Sequence, residues 1–127
     1  MKLRLIVATL AMLLLAVGFN LFAPSNASAQ VNADDCVHTG TIDSLEMCVQ
    51  HAADMGHIDS QDVTHSLLAK LDKAENALAD DHTGKAIHWL KAFIREVKDQ
   101  SGKHIEAMHA DQLVMHAELV IEALEDD

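Results

Sequence analysis

Four apolar stripes at helical spacing constrain this chain more than any other feature. Leu45, Val49 and Ala52 form the first, and Val63, Leu67, Leu71, Ala74 and Leu78 the second. Ile87, Leu90, Phe93, Ile94 and Val97 form the third. The fourth, broader, holds Ala110, Leu113, Val114, Ala117, Val120, Ile121 and Leu124. Steps of three and four put each set on one face of an α-helix, and such a face is stable in water only when it is buried. The spacing predicts helices over about 44–55, 60–79, 83–100 and 106–124. Asp43 with Glu46 has capping-box spacing, Asp59 and Thr83 are the predicted N-caps of the next two helices, and Gly56 and Gly102 are stops. Short connections make sequence neighbours antiparallel. The expected fold is all-α: a small four-helix bundle built from two antiparallel helical hairpins. One proline and five glycines leave too few turn residues for a β-sandwich.

The N-terminus reads differently. Lys2 and Arg4 precede an apolar run from Leu5 to Phe19, and Ala27-Ser28-Ala29 is a small-residue cleavage signal before Gln30. Residues 1–29 therefore read as a secretory signal peptide, 30–42 as an N-terminal extension and 43–127 as the helical module. The expected location is exported, periplasmic or extracellular, with no membrane attachment after cleavage. Cys36 and Cys48, an even pair in an exported chain, are expected to form a disulfide that ties the extension to the first helix.

Charge narrows the partners. The chain carries a formal net charge of −11, and all 20 acids follow Ala29. Nucleic acid is excluded as a partner, because binding phosphates requires clustered cations. Three phenylalanines, one tryptophan and no tyrosine leave little to stack bases on. No nucleophile elbow, phosphate-cradling loop or free Cys-His pairing is present, so catalysis is not expected.

Nine histidines are the compositional outlier: His38, His51, His57, His65, His82, His88, His104, His109 and His116. No two stand three or four apart, so no helix alone offers a bis-histidine clamp. His57 and His104 each lie just after a stop glycine and before an isoleucine, which suits rings that bond loop carbonyls and orient the turn. Met47, His51 and Met55 share a helical face, and Met108-His109 and Met115-His116 repeat seven residues apart. Thioether and imidazole together suit copper. The alternative metal set is thus Met47, His51, Met55, His109 and His116, for copper or another transition metal. Otherwise no cofactor is expected. Met108, Met115 and Leu119 also form a second apolar stripe on the last helix, as a helix with two partners or a homodimer would need. Trp89, at the edge of its stripe, and outward-pointing His88 complete an expected interaction surface with these three.

There is an internal echo. Gly56-His57-Ile58-Asp59 precedes the second helix, and Gly102-Lys103-His104-Ile105-Glu106 precedes the fourth. With Ser66 to Leu71, Ala77-Leu78, Ala92-Phe93-Ile94, Val97, Ala117, Val120, Ile121 and Leu124, the stretch from about Met55 to Leu124 resembles the FIMAH domain, a bacterial helical module. The resemblance implies a helical fold and a non-catalytic, accessory role, often as a C-terminal appendage of secreted hydrolases. This chain carries the module behind an export signal without an enzyme. The expected function is an exported binding or accessory module that recognises a protein or cell-envelope component. The alternative is extracytoplasmic metal binding or buffering.

Overall fold

The structure, a computed structural model, describes residues 36–127. The signal peptide read over 1–29 lies outside the described residues. Four helices follow one another: α1 (Ile42–Asp54), α2 (Gln61–Ala79), α3 (Thr83–Gln100) and α4 (Ala107–Glu125). Each packs on its neighbours in sequence, and α4 closes back on α1. The result is an antiparallel four-helix bundle of two hairpins. None of the described helices is long and apolar enough to cross a membrane.

The stripes make the core. Leu45, Val49, Leu67, Leu71, Leu90, Phe93, Val97 and Val120 are all buried. Each such side chain contributes about 1.5–3 kcal/mol by leaving water. Ile42, placed in the extension by the sequence, is the first residue of α1 and is buried too. On α3 the expected Ile87 is only half-buried and Ala86 is fully buried. Ala86 lies on the line through Leu90, Phe93 and Val97 that faces the bundle axis, and Ile87 sits at its rim.

Helix starts differ from the sequence expectation for a definite reason. Thr41, not Asp43, caps α1, accepting from the Ser44 N–H at 3.3 Å. Ser60, not Asp59, caps α2, accepting from the Val63 N–H at 3.4 Å. Asp59 is engaged elsewhere: its carboxylate accepts from His104 Nδ1 at 2.8 Å. Glu106, at the N-cap of α4, makes no side-chain cap bond because it is turned toward His57. Thr83 is the first helical residue of α3, with His82 in the cap position and no side-chain cap bond.

The loops joining α1 to α2 and α3 to α4 meet at one end of the bundle. Ile58 and Ile105, both buried, pair in an isolated antiparallel bridge. The Asp59 N–H donates to the His104 carbonyl at 3.0 Å, and the Glu106 N–H donates to the His57 carbonyl at 2.9 Å. Gly56 and Gly102 turn the chain into these loops at φ of +81° and +73°, where a Cβ is strained. The echo in the sequence thus has a physical counterpart: two equivalent loops bonded to each other.

Cys36 and Cys48 form a disulfide with a Cα separation of 5.4 Å. It holds the segment before α1 against α1 and α4. Across the α2–α3 seam, Lys70 pairs with Glu96, and Ser66 donates to Glu96 at 3.0 Å.

Candidate functional site

The paired loops bring four side chains together in two matched sets. His57 Nδ1 stands 2.6 Å from Glu106 Oε2, and His104 Nδ1 stands 2.8 Å from Asp59 Oδ1. The carboxylates only accept, so each ring donates. The sequence reading expected loop carbonyls as partners of these histidines. The partners are carboxylates because the loops pair crosswise and place each histidine beside the acid of the opposite loop.

One of the two sets is larger. His109, one turn into α4, stacks its ring on His57 with centroids 3.6 Å apart and an interplanar angle of 14°. Its Nδ1 is 3.1 Å from the same Glu106 oxygen. That approach is close enough for an ion pair but not aligned for a hydrogen bond, and His109 Nδ1 is buried without any hydrogen-bond partner. A buried nitrogen left in that state costs about 1–3 kcal/mol. Donor atoms of His57, Glu106 and His109 lie within 4.8 Å of one another.

Two of the three histidines of the proposed copper set come to one place. His51 and His109 line one cavity of about 20 Å³ with Cys36, His38 and Cys48. That volume holds about one water molecule. His116 is fully buried and committed to structure. Its Nε2 lies 2.8 Å from the Thr39 carbonyl, which can only accept, so this nitrogen carries the proton. Ser44 Oγ is also 2.8 Å from Nε2, Nδ1 faces Cys48 Sγ at 3.4 Å, and the His38 ring abuts edge-on at 4.7 Å. Cys48 is half of the disulfide and offers no thiolate. Burial lowers the His116 pKa from its ordinary value; the Thr39 hydrogen bond opposes this in part and His38 adds to it. Met47 on α1 and Met55 at its C-cap are exposed.

The expected interaction surface divides in two. Met108, Met115 and Leu119 are exposed, on the side of α4 opposite its core stripe. Trp89 instead faces α2, half-buried, with Lys73 Nζ 4.4 Å from its ring centroid in a cation–π contact. His88 is exposed on α3 and meets the tryptophan edge-on at 5.8 Å.

Acids gather across the α1–α2 seam. Glu75 is pushed up to about 7, first by a shared hydrogen bond with Asp43, then by burial and by the charges of Glu46, Asp43 and Asp72. A carboxyl raised on folding stabilises the fold at low pH, and that stability is lost as pH rises through about 7. Glu75→Gln is therefore expected to stabilise the protein at pH 8 by about 1 kcal/mol, after allowing for solvent screening. Urea melts at pH 5 and pH 8 check this; a gain of equal size at both pH values contradicts it.

Sequence reasoning missed the pairing of Glu106 with His57 and the burial of His116. The second was readable: His116 lies three residues after Leu113 and four before Val120, on the stripe itself.

Comparison with known proteins agrees with the fold. The sequence profile of the FIMAH domain matches residues 42–122, taking in α1 as well as the three helices after it. No curated protein and no solved structure gives a significant match. Since the profile covers most of the chain and all but the last few residues of the bundle, this chain belongs to the FIMAH domain family.

Proposed function

We propose that this protein is a non-catalytic accessory module, exported from the cytoplasm, that docks a protein or cell-envelope component through the α1–α4 side of its bundle. One observation carries the reading. The exposed large apolar side chains among the described residues are Val37, Met47, Met55, Met108, Met115 and Leu119. All belong to α1, its C-cap residue Met55, α4 or the segment before α1, and none to α2 or α3. Met47 and Met108 are 68% and 66% exposed, a cost in water that a partner surface would relieve. Methionine is unbranched and polarisable, so it adapts to a partner's shape. The disulfide supports an oxidising compartment, and the signal-like N-terminus supports export. Trp89 is not the anchor in this reading, because Lys73 covers its face. For the alternative, metal binding, support comes from imidazole and carboxylate at the paired loops and not from thioethers.

The test is the double variant Met108→Ser, Met115→Ser. Its helicity and urea midpoint are expected to match the parent within about 0.5 kcal/mol, since both side chains are exposed. Photo-crosslinking in intact cells is expected to lose the partner by roughly tenfold, equivalent to about 1.4 kcal/mol. Undiminished crosslinking rejects the α4 face. Sedimentation of both proteins identifies a second copy of this chain if it is the occupant.

A further inference from the structure

The geometry points to a divalent transition-metal site formed by His57, Glu106 and His109, with Zn²⁺ as the ion its donors suit best. It stands independently of the docking surface proposed above.

The donors come from three places that the fold holds together. His57 follows Gly56 in the α1–α2 loop, Glu106 is the N-cap of α4, and His109 lies one turn further along α4. The Glu106 N–H bond to the His57 carbonyl, 2.9 Å long, locks the two loops at this spot. His57 Nδ1 and His109 Nδ1 stand 2.6 Å and 3.1 Å from one carboxylate oxygen. Donors around a tetrahedral Zn²⁺ with bonds of about 2.0–2.1 Å sit roughly 3.3 Å apart. Reaching that arrangement takes a shift of Glu106, whose side chain is 60% exposed, and a turn of the stacked imidazoles out of parallel so that both Nδ1 lone pairs meet one ion. His57 and His109 are 28% and 19% exposed, so solvent reaches the centre to complete the coordination.

A second observation, independent of the clustering, is the orphan nitrogen. His109 Nδ1 is buried and has no hydrogen-bond partner, although Glu106 is near. A lone pair on that nitrogen directed at a cation is satisfied in a way that the misaligned carboxylate cannot achieve.

The opposite loop serves as a built-in comparison. A shift of 47 residues carries His57, Glu106 and His109 onto positions whose counterparts are His104, Asp59 and Asp62. His104 and Asp59 repeat the hydrogen bond, which suffices to pin a loop. The second imidazole is what the first set adds. Two nitrogens and one carboxylate select a borderline divalent ion such as Zn²⁺, Co²⁺ or Ni²⁺; Cu(I) prefers sulfur. The other cluster of potential donors among the described residues, His38, Cys48 and His116, is disqualified because its sulfur is in the disulfide. The negative charge of the chain raises the local concentration of cations.

Calorimetric titration of the disulfide-bonded protein with ZnCl₂ at pH 7.5 tests the assignment. One ion per chain is expected, with Kd below about 10 µM. His109→Ala and Glu106→Gln are each expected to weaken binding at least tenfold, with unchanged helicity by circular dichroism. His104→Ala is expected to leave affinity unaltered. Cobalt loaded in place of zinc is expected to show a tetrahedral visible spectrum that His109→Ala abolishes. Should His57→Ala disturb the loop, Glu106→Gln still decides, because the amide can keep the hydrogen bond to His57. Zn²⁺ affinity equal in parent, His109→Ala and Glu106→Gln overturns the site. So does an absence of Zn²⁺ binding, or binding only of Cu(I) that survives both substitutions.

Discussion

Replacing Cys36 and Cys48 together by alanine is expected to lower stability by about 3 kcal/mol, the chain-entropy value for a loop of this length. The two residues are 12 apart, and their bond ties the irregular segment to α1. Cys36 lies on an irregular segment with one exposed apolar residue, Val37, so without the disulfide its ordering has little burial to offset the entropy. The consequence reaches further than the loop. The Thr39 carbonyl, which accepts from His116, is carried by the same segment. Freed, it exposes the imidazole and leaves Ser44 without the Thr39 acceptor it uses at 2.8 Å. Urea melts with and without reductant measure the loss. Hydrogen exchange is expected to rise first in residues 39–45 and in α4 around His116, leaving the α2–α3 hairpin protected. Equal midpoints for both proteins contradict the expectation.

His116→Ala is expected to cost about 3 kcal/mol at pH 8. The substitution opens a cavity between α1 and α4 and removes a hydrogen bond to the Thr39 carbonyl. The same residue sets an acid limit. In the unfolded chain an imidazole takes a proton near its ordinary 6.5; in the fold, burial holds His116 below that value. The unfolded state then binds more protons, so stability falls with falling pH. The contribution is complete above about 6.5 and is lost as pH falls from there through the lower folded-state value. Glu75 acts with the opposite sign, losing its contribution as pH rises through about 7. The Glu75 loss begins at its ordinary 4.5, so the two windows overlap and the opposite slopes offset one another in mildly acidic solution. His116→Gln, neutral throughout, is expected to flatten the acid side of the urea-melt profile while Glu75→Gln flattens the other. An acid limb unchanged by His116→Gln rejects the assignment.

The metal and docking readings draw on different parts of the molecule. One uses the end of the bundle where the loops pair, and the other uses the outward side of α4. Met108 and His109 are adjacent on that helix yet serve different faces, because one residue turns the side chain by about 100°. Substitutions at one face therefore leave the other as a control.

Local patterning sufficed for the four helices, the stripes, the glycine stops and the disulfide partners, because helical periodicity and positive-φ turns are properties of neighbours in sequence. It could not reveal that Asp59 and Glu106 abandon capping for His104 and His57, since that exchange depends on two loops 47 residues apart meeting side by side. Nor could it separate Trp89 from Met115, because the direction in which α3 turns its tryptophan is set by packing on α2 and the Lys73 contact. His109 and His116 read alike in sequence, each after a methionine. Only tertiary packing stacks one on His57 with a buried, unpaired nitrogen and buries the other beside a disulfide.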